Sequence, residues 1–230
     1  MAVLAPLAVP TATGVVRARF TSRLDGDVSV DRIGPDEASR RWTALAGVPV
    51  TWLDQRHADT VVDVAAPGEH CGRAADAAVS AACGLGLAVW VGDCAPVLLV
   101  ADEGPFGVVH AGWRGLAAGV LERAVTALRR RGGRHVSAWL GPCIRPCCYE
   151  FGADELRHLG ERWPAAVAGR TAWGTPALDV PAAVGAVLGS VGVDRLTDGA
   201  PCTGCDDDYW SHRRRGDVGR HGLVAWRAAP

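Results

Sequence analysis

Three short apolar runs follow one another almost without interruption, Leu87 to Val91, Pro96 to Val100 and Gly107 to Val109. No other feature limits the fold as strongly. Each run is rich in β-formers, bounded by Gly, Pro or Asp, and too short for a helix. They are predicted as strands. Leu116, Val120, Leu121, Val125 and Leu128 then recur at helical spacing, which predicts one amphipathic helix over residues 115–131. Arg129, Arg130 and Arg131 crowd its C-terminus, where the helix dipole favours cations, and Gly132-Gly133 stops it.

The same reasoning extends along the chain. Residues 15–22, Val50 to Leu53, Thr60 to Val64, Val136 to Leu140 and Gly222 to Trp226 read as further strands. Pro35-Asp36 opens a helix through Ala46 with Ala38, Trp42 and Leu45 on one face. Residues 153–159 and 180–190 read as helices. No repeat or linker divides the chain, so a single domain over 1–230 is expected. Residues 1–14 are expected to form a poorly ordered tail.

Composition excludes several classes of function. Of 230 residues, 49% are hydrophobic, enough for a sizeable core, and the formal net charge of −1 gives no general attraction to nucleic acid or to an anionic membrane. No apolar run of about 18 residues is present, so no transmembrane helix is expected. Residues 2–12 lack a basic start, which argues against a secretory signal. A cytoplasmic location with reduced thiols is therefore the expectation for the eight Cys. The chain contains no Lys, which excludes Schiff-base lysine catalysis; a phosphate site must use Arg or backbone N–H groups.

His57, Cys94 and His110 each sit at the end of an apolar run, in Gln55-Arg56-His57, Gly92-Asp93-Cys94-Ala95-Pro96 and His110-Ala111-Gly112-Trp113-Arg114-Gly115. Two imidazoles and a thiolate are a zinc ligand set that leaves a fourth position open, as in catalytic sites. A satisfied core position is the competing reading for any one of them. Copper is possible but less well suited. A blue-copper site usually adds an axial Met, and the only Met is Met1. A multicopper oxidase needs many His ligands, and the seven His include no His-x-His pair.

Other constellations are more ambiguous. Cys143, in Gly141-Pro142-Cys143-Ile144, could be a nucleophile beside a His, a ligand, or packing. Cys202-Thr203-Gly204-Cys205 could bind metal, but a four-Cys zinc site needs a second pair, and Cys147-Cys148 has the wrong spacing for one. Structural packing is the favoured reading there. Tyr209-Trp210-Ser211-His212-Arg213-Arg214-Arg215, followed by Gly219-Arg220, interleaves aromatics with Arg and suits a pocket that stacks a ring and grips an anion.

Together these stretches resemble a known family. The His110-Ala-Gly-Trp-Arg-Gly115 stretch, Asp93-Cys94-x-Pro96, Gly141-Pro-Cys-Ile144, Tyr149-Glu150-x-Gly152 and Ser211-x-Arg213-Arg214 look like the YfiH/YlmD-like purine nucleoside phosphorylases, formerly called laccase-like multicopper polyphenol oxidoreductases. The resemblance runs from Phe20-Thr21-Ser22-Arg23 to Gly219-Arg220. It implies an α+β fold of α/β/β/α layers with mixed sheets, similar to the catalytic domain of cytotoxic necrotizing factor toxins. It implies zinc on His57, Cys94 and His110. It also implies phosphorolysis of adenosine, inosine or methylthioadenosine to base and ribose 1-phosphate, together with adenosine deamination, in which zinc would activate the water.

On this reading the partners are purine nucleosides and phosphate. Asp93, Cys94, His110 and Cys143 are catalytic candidates, with Asp93 or Asp76 relaying protons. Arg23, Gln55, Asp76, Arg114 and Arg213 are candidates for holding substrate or phosphate. The chain departs from the family at Arg56-His57-Ala58, which replaces Val-His-Gly, and at Gly92, which replaces Ala. It also lacks or shortens a Ser-Leu-Asn-containing segment near the first Arg, which often helps line the pocket. The alternatives are a Cys/His hydrolase or deamidase, a non-enzymatic zinc-binding protein, and a weak copper-dependent phenol oxidation.

Overall fold

The structure, a computed structural model, describes residues 4–163 and 167–228. The chain begins with β1 (Leu7–Thr11) and β2 (Gly14–Phe20). Two helices follow, α1 (Val30–Ile33) and α2 (Pro35–Ala46). Six strands come next: β3 (Val50–Trp52), β4 (Val61–Asp63), β5 (Ala77–Ser80), β6 (Leu85–Val91), β7 (Ala95–Ala101) and β8 (Phe106–Ala111). Then come α3 (Trp113–Ala118), α4 (Val120–Arg130) and β9 (Val136–Leu140). The last third holds α5 (Ala153–Arg162), β10 (Ala168–Arg170), β11 (Pro176–Leu178) and α6 (Val180–Ser190). It closes with β12 (Arg195–Asp198), α7 (His212–Arg215) and β13 (His221–Arg227).

Two mixed sheets carry the molecule. One has the order β1-β2-β13-β6-β3 and the other β12-β9-β7-β8-β5-β4. They pack face to face. Val16, Ala18, Phe20, Leu85, Leu87 and Val89 of the first sheet meet Leu98, Val100, Phe106 and Val108 of the second in one apolar cluster. The outer face of the six-stranded sheet is covered by Leu121, Val125 and Leu128 of α4 and Val184, Val187 and Leu188 of α6. The outer face of the five-stranded sheet is covered by Ala38 and Trp42 of α2, against Ala88 and Val224. The layers are therefore α/β/β/α, as the resemblance implies.

This layering explains the opening signal. Along β7, Val97 and Leu99 face the helices while Leu98 and Val100 face the other sheet. Both faces are buried, so the strand needs no polar alternation.

The structure corrects several expectations. The tail expected over residues 1–14 contains β1, which pairs antiparallel with β2 from Leu7↔Ala18 to Thr11↔Gly14; residues 1–3 lie outside the described residues. The helix predicted over 115–131 is two helices, broken at Gly119, whose φ of 101° places it outside right-handed helix space. Apolar periodicity continues through the break, which is why spacing alone merges the two. The strand predicted over Gly107 to Val109 runs on through His110 to Ala111, so His110 lies within β8. By contrast, α2 and α6 occupy Pro35–Ala46 and Val180–Ser190 as predicted, each with Pro at its first turn.

Candidate functional site

Antiparallel pairing of β7 with β8 aligns Ala95 with Ala111 and Pro96 with His110. That register sets Cys94, one residue before β7, beside His110. His57 reaches the same point from the loop after β3. A two-way clasp fixes the loop: Gln55 Nε2 donates to the Trp90 carbonyl at 2.7 Å, and Trp90 N–H donates to Gln55 Oε1 at 2.9 Å. His57 has φ of 57°, a left-handed conformation rarely adopted by a non-glycine residue. Asp76 holds it there by accepting the backbone N–H groups of Arg56, His57 and Ala58 at 3.1, 2.9 and 2.8 Å. A side chain at position 112 would place its Cβ 2.8 Å from His57 Cδ2 and 3.0 Å from Cys94 Sγ, so the close packing requires Gly112.

One ligand atom from each of His57, Cys94 and His110 lies within 4.8 Å of the other two. Cys94 Sγ and His57 Nε2 are 3.7 Å apart. Asp76 is buried and contacts His110 Nδ1 at 2.8 Å. With Nδ1–H donating to that carboxylate, Nε2 keeps its lone pair for a metal, the carboxylate–histidine arrangement of metal sites. The donor set and its spacing fit a borderline-soft divalent ion such as zinc.

The charges reinforce one another. Burial works to raise the Asp76 carboxyl, but the hydrogen bonds from His110, Ala58 and Arg56 outweigh it and hold the group below the usual range. Burial would likewise raise the Cys94 thiol. The charge of His110 and hydrogen bonds from both imidazoles bring it down to about 6 instead. His110 is pushed up to about 9: burial opposes its charge, and the Cys94 thiolate and Asp76 overcome it. Cys94, His110 and Asp76 thus each favour the charged form of a neighbour.

A cleft of about 420 Å³ opens over these residues, lined among others by Trp90, Tyr149, His212, Arg114, Arg213 and Arg220. Asp93 organises one wall. Its carboxylate accepts Thr203 Oγ1, Ser211 Oγ and the Arg213 N–H, each at 2.7 Å. Arg213 lies over the Tyr149 ring at 5.0 Å and Arg114 over the Trp113 ring at 4.5 Å. Among the described residues, Arg114, Arg213 and Arg220 line the cleft without a carboxylate partner. Arg213 Nη1 donates to the Glu150 carbonyl at 3.3 Å and Arg220 Nη1 to the Asp217 and Gly219 carbonyls at 3.0 and 2.8 Å, so both are anchored while their charge is left for an anion.

The predicted residues divide accordingly. His57, Cys94 and His110 come together, and Gln55, Asp93, Arg114 and Arg213 line the cleft. Arg23 does not. It pairs with Asp217, donates to the Tyr209 carbonyl and stacks on Trp210 at 5.3 Å. Asp76 is fully buried behind His110 and is absent from the cleft lining. Cys143 is fully buried, is absent from the cleft wall, and has its thiol pushed far up by burial, the character of a packed rather than a reactive cysteine. Asp93 spends its carboxylate on three donors, which suits positioning better than proton relay. Sequence reasoning assigned no role to Trp90, and it grouped Tyr149, His212 and Arg220 in motifs without placing them at the metal set. Gly219-Arg220 was the available signal. Arg220 lies over the backbone of Gly92, where an added Cβ would come within 3.3 Å of it.

A model of the family described as multi-copper polyphenol oxidoreductase laccase matches residues 21–228. A Streptomyces coelicolor protein named purine nucleoside phosphorylase is 39% identical over 77% of this chain and 74% of its own length. A Xylella fastidiosa protein of the same name is 38% identical over 81% of this chain and 76% of its own. The crystal structure of a Neisseria meningitidis protein of the DUF152 group superposes with a TM-score of 0.82 at 28% identity, covering 97% of this chain and 99% of the other. YfiH from Bacillus licheniformis shares the fold at 22% identity, with a TM-score of 0.78 and 92% of each chain covered. From the match over most of its length and from these relatives, the chain belongs to the YfiH/DUF152 family, the one described as multi-copper polyphenol oxidoreductase laccase.

Proposed function

We propose that this protein is a zinc-dependent purine nucleoside phosphorylase that also deaminates adenosine. The observation that carries the reading is one cleft holding both a His57/Cys94/His110 ligand set and three guanidinium groups without carboxylate partners. The names of its relatives point the same way.

Arg114, Arg213 and Arg220 hold phosphate, and the aromatic walls at Tyr149 and Trp90 pack the purine. A phosphate oxygen forms a bond to the anomeric carbon as the bond to the purine nitrogen breaks. The bonding electrons leave with the base, and the proton of hydrogen phosphate ends on it. Such an electron-poor sugar requires a placed anion, which the arginines supply by orientation. A zinc ion on His57, Cys94 and His110 would supply Lewis-acid chemistry toward the purine. Asp76 fixes the His110 tautomer, and Asp93 holds the wall that carries Arg213. In deamination, water replaces the exocyclic amine and ammonia leaves.

The test is chromatography of purified protein with adenosine and phosphate, with metal content measured on the same sample. The expected products are adenine and ribose 1-phosphate, with inosine when phosphate is omitted. The His110→Ala variant is expected to lose both zinc and turnover. Full activity in zinc-free His110→Ala protein would refute the scheme.

A second reading rests on one observation, the Cys94–His110–Asp76 chain with its lowered thiol. That order of nucleophile, base and orienting carboxylate is also the order of a Cys hydrolase. Thiol alkylation that stops turnover while chelators do not would favour it.

A further inference from the structure

Cys147, Cys148, Cys202 and Cys205 form a second cluster, outside the cleft, whose four sulfur atoms lie within 4.8 Å of one another. Cys147 and Cys148 belong to a short 3₁₀ turn, Pro146–Cys148, and the other two flank the turn at Thr203-Gly204. The sequence spacing of adjacent cysteines argues against a zinc pair. The fold overrides it, because the 3₁₀ turn aims both side chains at Cys205: Cys147 Sγ is 3.5 Å from Cys205 Sγ, and Cys148 Sγ is 3.3 Å from it.

We propose that these four cysteines are a closed, tetrathiolate site for a structural zinc ion, separate from the His57/Cys94/His110 set. Three observations favour a metal over a disulfide or simple packing. Metal–sulfur bonds of about 2.3 Å in a tetrahedron put the sulfurs about 3.8 Å apart, close to the spacing seen. Cys205 is nearly equidistant from two partners, whereas a disulfide would take one and strand the other two thiols. The backbone is also built around the sulfurs. Arg145 N–H donates to Cys202 Sγ at 3.3 Å. A Cβ at Gly204 would sit 2.8 Å from Cys148 Cβ and 2.9 Å from its sulfur, so only glycine permits the approach. Arg215, itself paired with Asp217 and Asp207, donates to the Thr203 and Gly204 carbonyls at 3.0 and 3.2 Å and so holds the turn that carries Cys202 and Cys205.

The site staples two walls of the cleft. The Cys147-Cys148 turn leads directly into Tyr149. The Cys202–Cys205 turn carries Thr203, whose hydroxyl is held by Asp93 at 2.7 Å.

The test uses the full chain, loaded with zinc and freed of excess. Metal analysis is expected to give two zinc equivalents, falling to one in Cys205→Ser. Pulse alkylation with peptide mapping checks the unmutated protein, so it does not depend on the variant folding. Cys205 and Cys71 are both exposed. In the zinc-loaded protein Cys71 is expected to react while Cys205 resists, and a strong chelator is expected to make Cys205 reactive without reductant. Cobalt in place of zinc is expected to show intense sulfur charge-transfer absorption that Cys205→Ser largely removes. Free alkylation of Cys205 in zinc-saturated protein overturns the proposal. So does exposure of Cys205 by reductant but not by chelator, which identifies a disulfide.

Discussion

At the scale of single residues, Asp76 does the most without facing the cleft. It accepts three backbone N–H groups and the His110 imidazole, so one buried carboxylate sets the left-handed turn at His57 and the tautomer of His110. Orienting partners of this kind typically contribute about 10- to 100-fold in metal affinity or activity. Asp76→Ala is expected to lose that much zinc affinity, measured by competition with a chromophoric chelator. The arginines separate by their partners. Arg213 lines the cleft with no carboxylate against it, whereas Arg23 is paired with Asp217, which it shares with Arg215, and lies outside the cleft lining. Charge-assisted hydrogen bonds contribute about 1.5–3 kcal/mol, roughly 10- to 100-fold. Arg213→Ala is expected to reduce kcat/KM for phosphate by that factor, and Arg23→Ala to leave it near the unmutated value. Initial rates at varied phosphate distinguish the two. The candidate ligand set was legible in sequence because Cys94 and His110 each end an apolar run with Gly or Pro two residues away, and His57 follows closely on the run Val50 to Leu53. The division between Arg23 and Arg213 was not, because it depends on Asp217, which nothing in the local pattern links to Arg23.

At the scale of elements, the legible parts are those whose signal is local. Pro at the first turn and apolar spacing fixed the extents of α2 and α6. The central strands were legible as apolar runs; β6 extends beyond its run at the start and β7 and β8 at both ends, because pairing rather than composition sets their ends, while β3 and β4 are shorter than predicted. β1, β5, β10, β11 and β12 were missed: β12 is held by its parallel partner β9, a long-range term absent from a local reading, whereas β1 pairs with β2 across a two-residue turn and is obscured by Pro10 within it. The break between α3 and α4 is the informative error. Gly119 N–H donates to both the Gly115 and Leu116 carbonyls, ending α3, and the same residue starts α4. The break leaves α3 as a short separate element carrying Trp113 and Arg114 at the cleft. Alanine cannot adopt φ of 101° without strain. Gly119→Ala is expected to cost about 1 kcal/mol or more of stability, measured by urea unfolding, with a weaker grip on phosphate through Arg114.

At the scale of the whole molecule, the cleft side of the five-stranded sheet depends on a neutral histidine. His221 opens β13, the strand that joins β2 to β6, and is fully buried beneath Tyr209 and Trp210. Burial, reinforced by the charges of Arg220, Arg23 and Arg215, outweighs the contact to the Pro142 carbonyl and lowers its pKa from 6.5 to about 3. The sign follows from linkage. Between these values the unfolded chain binds a proton that the folded chain does not, so stability is complete above about pH 6.5 and declines as pH falls toward 3. A single such group gives a slope of about 1.4 kcal/mol per pH unit. The cost is borne by the contacts that bury His221: the Tyr209-Trp210 segment, and with it the Ser211 and Arg213 groups that hold Asp93. Acid is therefore expected to loosen the anion-binding wall and destabilise the fold through the same residue. In His221→Gln, which removes the titrating group, the unfolding free energy measured by urea titration is expected to fall less steeply between pH 6 and 4, by about that slope. Parallel pH profiles for the two proteins would instead place the acid sensitivity elsewhere in the sheet.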